Sequence, residues 1–259
     1  MSTQPVCEKC GGTGWIIVER SSVSGAERCA CLSEGRAERL EGRANIPPLY
    51  QKASFDNFRI PGSENPIARS ALIVPLMGAK TYAHDYPKVE RPGLLLVGYP
   101  GCGKTHLAVA ALRALLAKGH DGLFWNYQHL LERIRAGYDA TANFSDKTAY
   151  REALEIEVLL IDDLGAQKVT EWVEDTVCSI ITHRCNNHKP LIATTNLPDV
   201  AAGSNIIMKS QENLQRTPRV RRTLGEQIGE RARSRLFEMC TVVKMPEVAD
   251  FRIPRPWKS

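Results

Sequence analysis

The sequence predicts an α/β domain in which helices cover a parallel sheet, preceded by a small cysteine-rich module. Short apolar runs alternate with longer helical segments through the main part of the chain, and four of the eight cysteines fall within the first 31 residues. Of the 259 residues, 43% are hydrophobic and 24% are charged, which is typical of a folded globular protein.

The amino-terminal cysteines have the spacing of a metal site. Cys7 and Cys10 form a C-x2-C pair, and after 18 intervening residues Cys29 and Cys31 form a C-x-C pair. Two close pairs on short turns supply the four thiolates of a tetrahedral Zn²⁺ site. Free thiols are the alternative, and a disulfide is disfavoured in a reducing compartment. We therefore predict a zinc module over residues 1–44.

A charged segment separates this module from the rest of the chain. Residues Leu32–Arg43 alternate in charge, which indicates a solvated helix, and Asn45-Ile46-Pro47-Pro48 breaks its continuation. We place the second domain at residues 45–259. Its predicted strands and helices alternate in the order strand Gly93–Val97, helix Thr105–Lys118, strand Gly122–Tyr127, helix Gln128–Ala136, strand Glu157–Ile161, helix Thr170–His188 and strand Pro190–Thr195.

A phosphate-binding loop follows the first strand of this domain. The motif G-x-x-x-x-G-K-[ST] is complete, and it opens a predicted helix, as the motif requires. Lys104 is expected to reach the β- and γ-phosphates, and the Thr105 hydroxyl to bind Mg²⁺. The predicted ATP-binding residues are Gly98, Tyr99, Pro100, Gly101, Cys102, Gly103, Lys104, Thr105 and His106.

Two carboxylates follow the buried strand that ends near Ile161. We assign Asp162 to the Mg²⁺ shell and Asp163 to polarising the attacking water, and a turn or helix cap is the alternative for such a pair. Asn196 ends the next strand, at the edge of the sheet that faces the nucleotide. We expect it to orient water or to sense the γ-phosphate, and simple termination of the strand is the alternative. Arg231 and Arg235 lie on one face of a predicted helix. An exposed pair of this kind is usually only solvated, but it would stabilise phosphoryl transfer if the nucleotide of a neighbouring subunit lay opposite.

The positive charge is concentrated near the carboxyl-terminal part of the chain. The net charge is +5, and residues 204–235 alone hold eight basic residues and three glutamates. Such a patch favours a polyanionic partner. We assign DNA binding to Arg216, Arg219, Arg221 and Arg222.

No apolar stretch reaches the roughly 18 residues that a membrane span needs, and no export signal is visible. We therefore expect a cytoplasmic protein without a membrane partner.

Five features together resemble bacterial replication proteins of the DnaC/DnaI type, which are AAA+ helicase loaders grouped with the IstB-like transposition ATPases. These features are the cysteines with Gly11-Gly12-Thr13-Gly14, the segment Phe55–Phe58, the phosphate loop, Leu159–Gly165 and Gly229–Leu236. The resemblance implies an AAA+ P-loop NTPase core without a C-terminal helical lid.

The resemblance also implies an activity and partners. It implies an ATPase that uses ATP, Mg²⁺ and Zn²⁺ and forms homo-oligomers. It also implies that the protein binds single-stranded DNA and loads a replicative helicase, and that the cysteine module contacts this helicase. It places Phe55–Phe58 near the adenine, and makes Asn196 the first sensor and Arg235 an arginine acting on the neighbouring subunit. A transposition helper ATPase and an ATP-switched DNA-binding adaptor with little turnover remain alternatives.

Overall fold

The computed structural model describes residues 7–11, 13–20, 23–62, 65–137, 144–199 and 222–253. Among these residues, no helix combines the length and the apolar character that crossing a membrane requires. The first elements are strands β1 (Trp15–Arg20) and β2 (Val23–Arg28), which pair as an antiparallel hairpin. The hairpin brings Gly14 beside Cys29, whose backbone N–H donates to the Gly14 carbonyl at 2.8 Å, so both cysteine pairs lie at its base.

Helix α1 (Cys31–Arg43) links the hairpin to the main domain. Its last turn is anchored there, because Leu40 and Ala44 are buried in the same core as residues of the phosphate-loop helix. Glu41 accepts a hydrogen bond from Arg113 at 2.7 Å, and the Phe124 N–H donates to the Ala44 carbonyl at 2.7 Å. The proposed division between residues 44 and 45 therefore falls at a point of close packing, and it stays a prediction.

Within the described residues, the main domain contains a five-strand sheet in the order β4-β5-β6-β3-β7. Each neighbouring pair is parallel, which confirms the predicted α/β fold. Apolar runs buried on both faces are what a parallel sheet covered by helices requires. The strands are β3 (Gly93–Val97), β4 (Gly122–Asn126), β5 (Val158–Asp162), β6 (Leu191–Thr195) and β7 (Cys240–Lys244).

Helices cover both faces of the sheet and create two cores. Leu94 and Leu96 point to the core with α3, whereas Leu95 points to the core with α4, α6 and α8, as the two-residue period of a strand dictates. The helices of this domain are α2 (Pro66–Asp85), α3 (Lys104–Ala117), α4 (Tyr127–Ala136), α5 (Phe144–Glu155), α6 (Glu171–Asn186), α7 (Leu224–Ile228) and α8 (Glu230–Met239).

The seven predicted strands and helices are present, with ends that differ by at most two residues. For example, the predicted strand Glu157–Ile161 is β5, which runs from Val158 to Asp162. Helices α2, α5 and α7 and strand β7 are additional. The apolar segment that forms α2 contains Pro75, but its start is well specified: Asn65 caps the Ala68 N–H at 3.1 Å and Pro66 occupies the first turn.

The strand order decides which residues meet. Strand β6 lies between β3 and β5, so its carboxyl end lies between the strand that precedes the phosphate loop and the strand that ends at Asp162. Leu96 pairs with Thr194 and Val97 with Thr195, which places the hydroxyls of β6 at the carboxyl edge of the sheet. Ligand sites of open α/β sheets lie at this edge.

Candidate nucleotide and metal sites

The phosphate loop connects β3 to α3 and depends on glycine at three positions. Gly101 and Gly103 have φ angles of +75° and +95°, which glycine adopts without strain. A Cβ atom at Gly103 would lie 2.6 Å from the Phe58 ring, and one at Gly98 would lie 2.6 Å from the Met245 side chain. The loop is therefore compact, and α3 begins at its last residues; the first amides of a helix have no intrahelical partner and suit an anion.

Lys104 is buried at the start of α3, and its Nζ donates to the Tyr99 carbonyl at 2.8 Å. Burial lowers the pKa of Lys104, while the interaction with Cys102 and the negative charges of Asp163 and Asp162 oppose this shift. A buried ammonium that donates to a backbone carbonyl gains strongly from an anion at the loop. This arrangement suits phosphate binding.

Thr105, Asp162 and Thr194 form a buried hydrogen-bonded set. The Thr105 hydroxyl donates to Asp162 Oδ1 at 2.9 Å, and the Thr194 hydroxyl donates to the same oxygen at 2.6 Å. The phosphate loop and the end of β5 are 57 residues apart in sequence, and this contact joins them. Thr105 and Asp162 are thus close enough to serve one Mg²⁺ ion.

The chemistry of Asp162 fits a cation. Burial raises the pKa of this carboxyl, the charge of Asp163 adds to the shift, and the hydrogen bonds from Thr194 and Thr105 oppose it. A buried carboxylate of this kind is stabilised when a divalent cation neutralises it, and hydroxyl and carboxylate oxygens are ligands that Mg²⁺ prefers. The residues present therefore fit Mg²⁺, which when bound would neutralise phosphate charge.

Asp163 leaves β5 in the left-handed conformation, with φ of +57°. Its backbone N–H donates to the Thr194 hydroxyl at 2.9 Å, and the Leu164 N–H donates to the Thr194 carbonyl at 2.8 Å. These bonds hold the two carboxylates in different surroundings, since Asp162 is buried and Asp163 is half-buried. Asn196 directly follows β6 at the same edge, with an exposed side chain.

His106 and the segment Phe55–Phe58 border the loop. The His106 ring meets the Phe58 ring edge to face, with centroids 5.5 Å apart, and its Nε2 lies 2.9 Å from the Ser54 carbonyl. Phe58 in turn lies under Gly103. The predicted adenine segment is therefore in contact with the phosphate loop, and its role toward adenine stays a prediction.

Arg235 lies on α8, away from the phosphate loop of its own chain. It and Arg231 line a surface cavity of about 820 Å³ between α6 and α8, together with Asp175, Cys178, Ser179, Thr182 and Ser234. Arg235 is exposed and pairs with Glu238 at 2.7 Å. The predicted shared face of the two arginines is present, and a role for Arg235 in trans remains a proposal.

The predicted DNA-binding arginines fall mostly outside the described residues. Arg216, Arg219 and Arg221 lie there, whereas Arg222 is described and exposed just before α7. Asp199 is the last described residue before this stretch, and its buried carboxylate accepts hydrogen bonds from Arg233 at 2.7 and 3.1 Å. This bidentate pair fixes the chain after β6 to α8.

The four amino-terminal cysteines converge. Their sulfur atoms all lie within 4.8 Å of one another, with Cys7 and Cys29 at 3.8 Å and Cys10 and Cys31 at 3.5 Å. Zinc–sulfur bonds of about 2.3 Å at tetrahedral angles place sulfurs about 3.8 Å apart. The Gly14 N–H also donates to Cys10 Sγ at 3.3 Å, a contact that stabilises a thiolate. The set fits one Zn²⁺, which would hold the hairpin to α1.

We predict one zinc ion per chain in protein purified without chelator, measured by elemental analysis. Cys10→Ser should abolish zinc binding and disorder the hairpin while leaving ATP affinity within about twofold, because the phosphate site has its own core. Cys178→Ser, a cysteine change on α6, serves as the control and should retain zinc. A zinc content near zero in the wild-type protein would contradict the prediction.

Two groups of contacts in this site were not predicted from sequence. Thr194 holds Asp162 and the Asp163 amide, and its only sequence signal is a hydroxyl within an apolar strand. Asp250 and Phe251 follow β7 and contact Gly101 of the phosphate loop. No local pattern predicts that contact, because its partners are about 150 positions apart.

Comparison with known proteins agrees with this geometry. Residues 88–205, which span β3 through β6, match the family described as IstB-like ATP binding protein. Phage-like element PBSX protein XkdC of Bacillus subtilis (strain 168) is 26% identical over 200 residues, covering 74% of this chain and 71% of XkdC. The matched regions make up between 60% and 73% of the curated relatives considered.

Helicase loaders are also among the relatives. The replicative helicase loader DnaC of Escherichia coli (strain K12) is 25% identical over 190 residues, covering 71% of this chain and 73% of DnaC. A crystal structure of the DnaC helicase loader superimposes with a TM-score of 0.58 and 28% identity, covering 77% of this chain and 100% of that one. Residues 88–205 therefore match the IstB-like ATP binding proteins, and the chain is similar in sequence and fold to DnaC helicase loaders; a cysteine cluster lies at its amino terminus.

Proposed function

We propose that this chain is an ATP-hydrolysing DNA replication protein that loads a replicative helicase onto single-stranded DNA. The observation that carries the proposal is the 2.9 Å contact between Thr105 and Asp162, which joins a complete phosphate loop to a buried carboxylate. The two groups match the positions that hold Mg²⁺ in P-loop NTPases. The name of the related DnaC proteins supplies the helicase-loading part.

Hydrolysis needs a group that polarises water, and we assign this role to Asp163. Its carboxylate follows the metal-site residue directly, and the left-handed turn separates it from the buried Asp162. Asn196 lies at the same edge and would orient the water. This division leaves one carboxylate for the cation and one for the water.

The cysteine module is the proposed contact with the helicase. Its hairpin exposes apolar surface, since Trp15 is 50% exposed and Ile17 is 77% exposed. Exposed aromatic and aliphatic side chains on a small module are typical of a protein interface. The zinc ion would stabilise the conformation of this surface.

Single-stranded DNA is the proposed polyanion for the basic stretch. Replacing Arg216, Arg219, Arg221 and Arg222 by glutamine should weaken binding to all sequences alike. The dependence on salt should also flatten, because each phosphate contact contributes a log–log slope of about −0.7. Fluorescence anisotropy with a labelled oligonucleotide measures both quantities.

The matched control replaces four exposed arginines elsewhere with glutamine, namely Arg39, Arg43, Arg69 and Arg151. This control should keep the wild-type slope. Equal slopes in the wild-type protein and the first variant would contradict the assignment.

Arg235 is proposed to act on the nucleotide of a neighbouring subunit, which requires homo-oligomers. Arg235→Ala should spare ATP and DNA binding but lower DNA-stimulated hydrolysis by about 10³-fold, the scale of a trans-acting arginine. Mixing Arg235→Ala with Asp163→Asn subunits should recover part of the activity, because some interfaces then pair an intact Asp163 with an intact Arg235. A mixture that co-assembles and stays inactive would contradict action in trans.

A transposition helper ATPase is the second candidate, because the matching family is IstB-like. It would share the phosphate site but would not need the cysteine cluster, which is present here. A switched adaptor would bind ATP with little turnover.

Two measurements separate these functions. Co-isolation with a purified replicative helicase, lost in Cys10→Ser, favours the loader over the transposition helper. Steady-state hydrolysis that rises with single-stranded DNA favours it over the adaptor. Failure of the wild-type chain to retain the helicase would contradict the proposed function.

A further inference from the structure

The segment after β7 returns to the phosphate loop and is fixed there by three contacts. The Phe251 N–H donates to the Gly101 carbonyl at 3.1 Å. The Asp250 carboxylate lies directly on Gly101, where a Cβ atom would be only 1.9 Å from Asp250 Oδ1. Phe251 and Val248 pack partly buried against the core that contains Phe58 and Leu107. The phosphate loop and this segment therefore form one unit.

This arrangement presents Arg252 next to the loop. The Asp250 carboxylate accepts a hydrogen bond from the Arg252 N–H at 2.8 Å, which fixes the backbone of Arg252. Its side chain is exposed, and within the described part of the chain no acidic group pairs with its guanidinium. Lys104, by contrast, is buried and donates to a loop carbonyl.

The charge of Arg252 acts on the phosphate loop. Burial is the main cause that lowers the pKa of Lys104, and the positive charge of Arg252 lowers it further. Burial raises the pKa of Cys102, and Arg252 is among the groups that oppose that shift. Because Phe251 and Asp250 hold Arg252 beside the loop, the charges of Arg252 and Lys104 together favour an anion bound there.

We propose that Arg252 is a second cation for the nucleotide phosphates, supplied in cis by the segment after β7. The inference rests on the proposed nucleotide-binding function and adds a binding residue to it. Guanidinium groups suit this role, because their planar donors match phosphate oxygens and they stay charged. Asp250 and Phe251 are positioning residues, since they act through the backbone of Arg252.

Equilibrium binding of ATP, ADP and adenosine to the full-length chain tests the proposal. Arg252→Ala should weaken ATP and ADP binding about tenfold, the effect of one charge-assisted hydrogen bond, and leave adenosine binding unchanged. Arg252→Gln, which removes the charge but keeps a long polar side chain, should lose as much affinity for ATP and ADP as Arg252→Ala. Arg252→Lys should retain most of this affinity. Arg151→Ala removes an exposed arginine on α5 and should change nothing.

The outcomes separate the inference from the function on which it rests. Wild-type protein that binds no ATP contradicts both. Arg252→Ala and Arg252→Gln with wild-type ATP affinity, beside a Lys104→Ala variant that has lost binding, overturn the role of Arg252 alone. Equal losses for ATP and adenosine also overturn it, because the segment would then support the fold of the loop instead of contacting phosphate.

Discussion

Lys104→Ala should weaken ATP binding about 100-fold, because the variant loses the buried ammonium that pairs with the phosphates. The fold should be retained. Burial already lowers the pKa of Lys104, so the apo protein gains little from this charge, and its thermal midpoint should not fall. Titration with a fluorescent ATP analogue and a thermal melt without nucleotide measure the two effects.

Lys80→Ala provides the matched control for this change. Lys80 is an exposed lysine on α2, and its removal should leave ATP affinity unchanged. If Lys104→Ala bound ATP as tightly as the wild-type protein, the loop of residues 98–105 would not be the nucleotide site. A loss of binding that accompanied unfolding would instead indicate a structural role for Lys104.

Asp163→Asn should retain ATP binding within about threefold and lower turnover by about 10²- to 10⁴-fold, the contribution of a positioned general base. The amide keeps the shape of the side chain, and asparagine tolerates the left-handed φ of +57° observed here. Single-turnover hydrolysis with excess protein isolates the chemical step from binding.

The exposed residue Glu152 on α5 offers a control of the same chemistry, since Glu152→Gln also replaces a carboxylate by an amide. It should hydrolyse ATP at the wild-type rate. Wild-type turnover in Asp163→Asn would assign water polarisation to another group, whereas loss of ATP binding would place Asp163 among the binding residues.

The parallel sheet was predictable because its strands are short, apolar runs between helical segments. Gly93–Val97 has the predicted bounds, and Leu94, Leu95 and Leu96 are all fully buried, as a strand covered on both faces requires. Helix α2 was not predicted, because Pro75 interrupts its apolar pattern and lies buried inside the helix. Local pattern therefore identified the sheet better than the helices that flank it.

The site was predictable where its residues belong to a local motif. Thr105 and Asp162 were assigned to one cation from motif and strand context, and their side chains are in contact at 2.9 Å. The positions of Thr194 and Arg252 depend on the order of the strands and on the path of the chain after β7, which are properties of the whole fold. The position of Arg184 was likewise not predictable from a local motif. Its side chain is fully buried and donates to several backbone carbonyls, including those of Ala153 and Pro190, which only the packed structure brings together.

Loading of a purified replicative helicase onto closed circular single-stranded DNA tests the proposed function most directly. Helicase that co-elutes with the DNA circle in gel filtration, after incubation with this chain and ATP, measures the loaded fraction. We predict loading with the wild-type chain and Lys80→Ala, and none with Lys104→Ala or without ATP. Equal amounts of loaded helicase with the wild-type chain and with Lys104→Ala, or no loading by the wild-type chain, would contradict an ATP-dependent helicase loader.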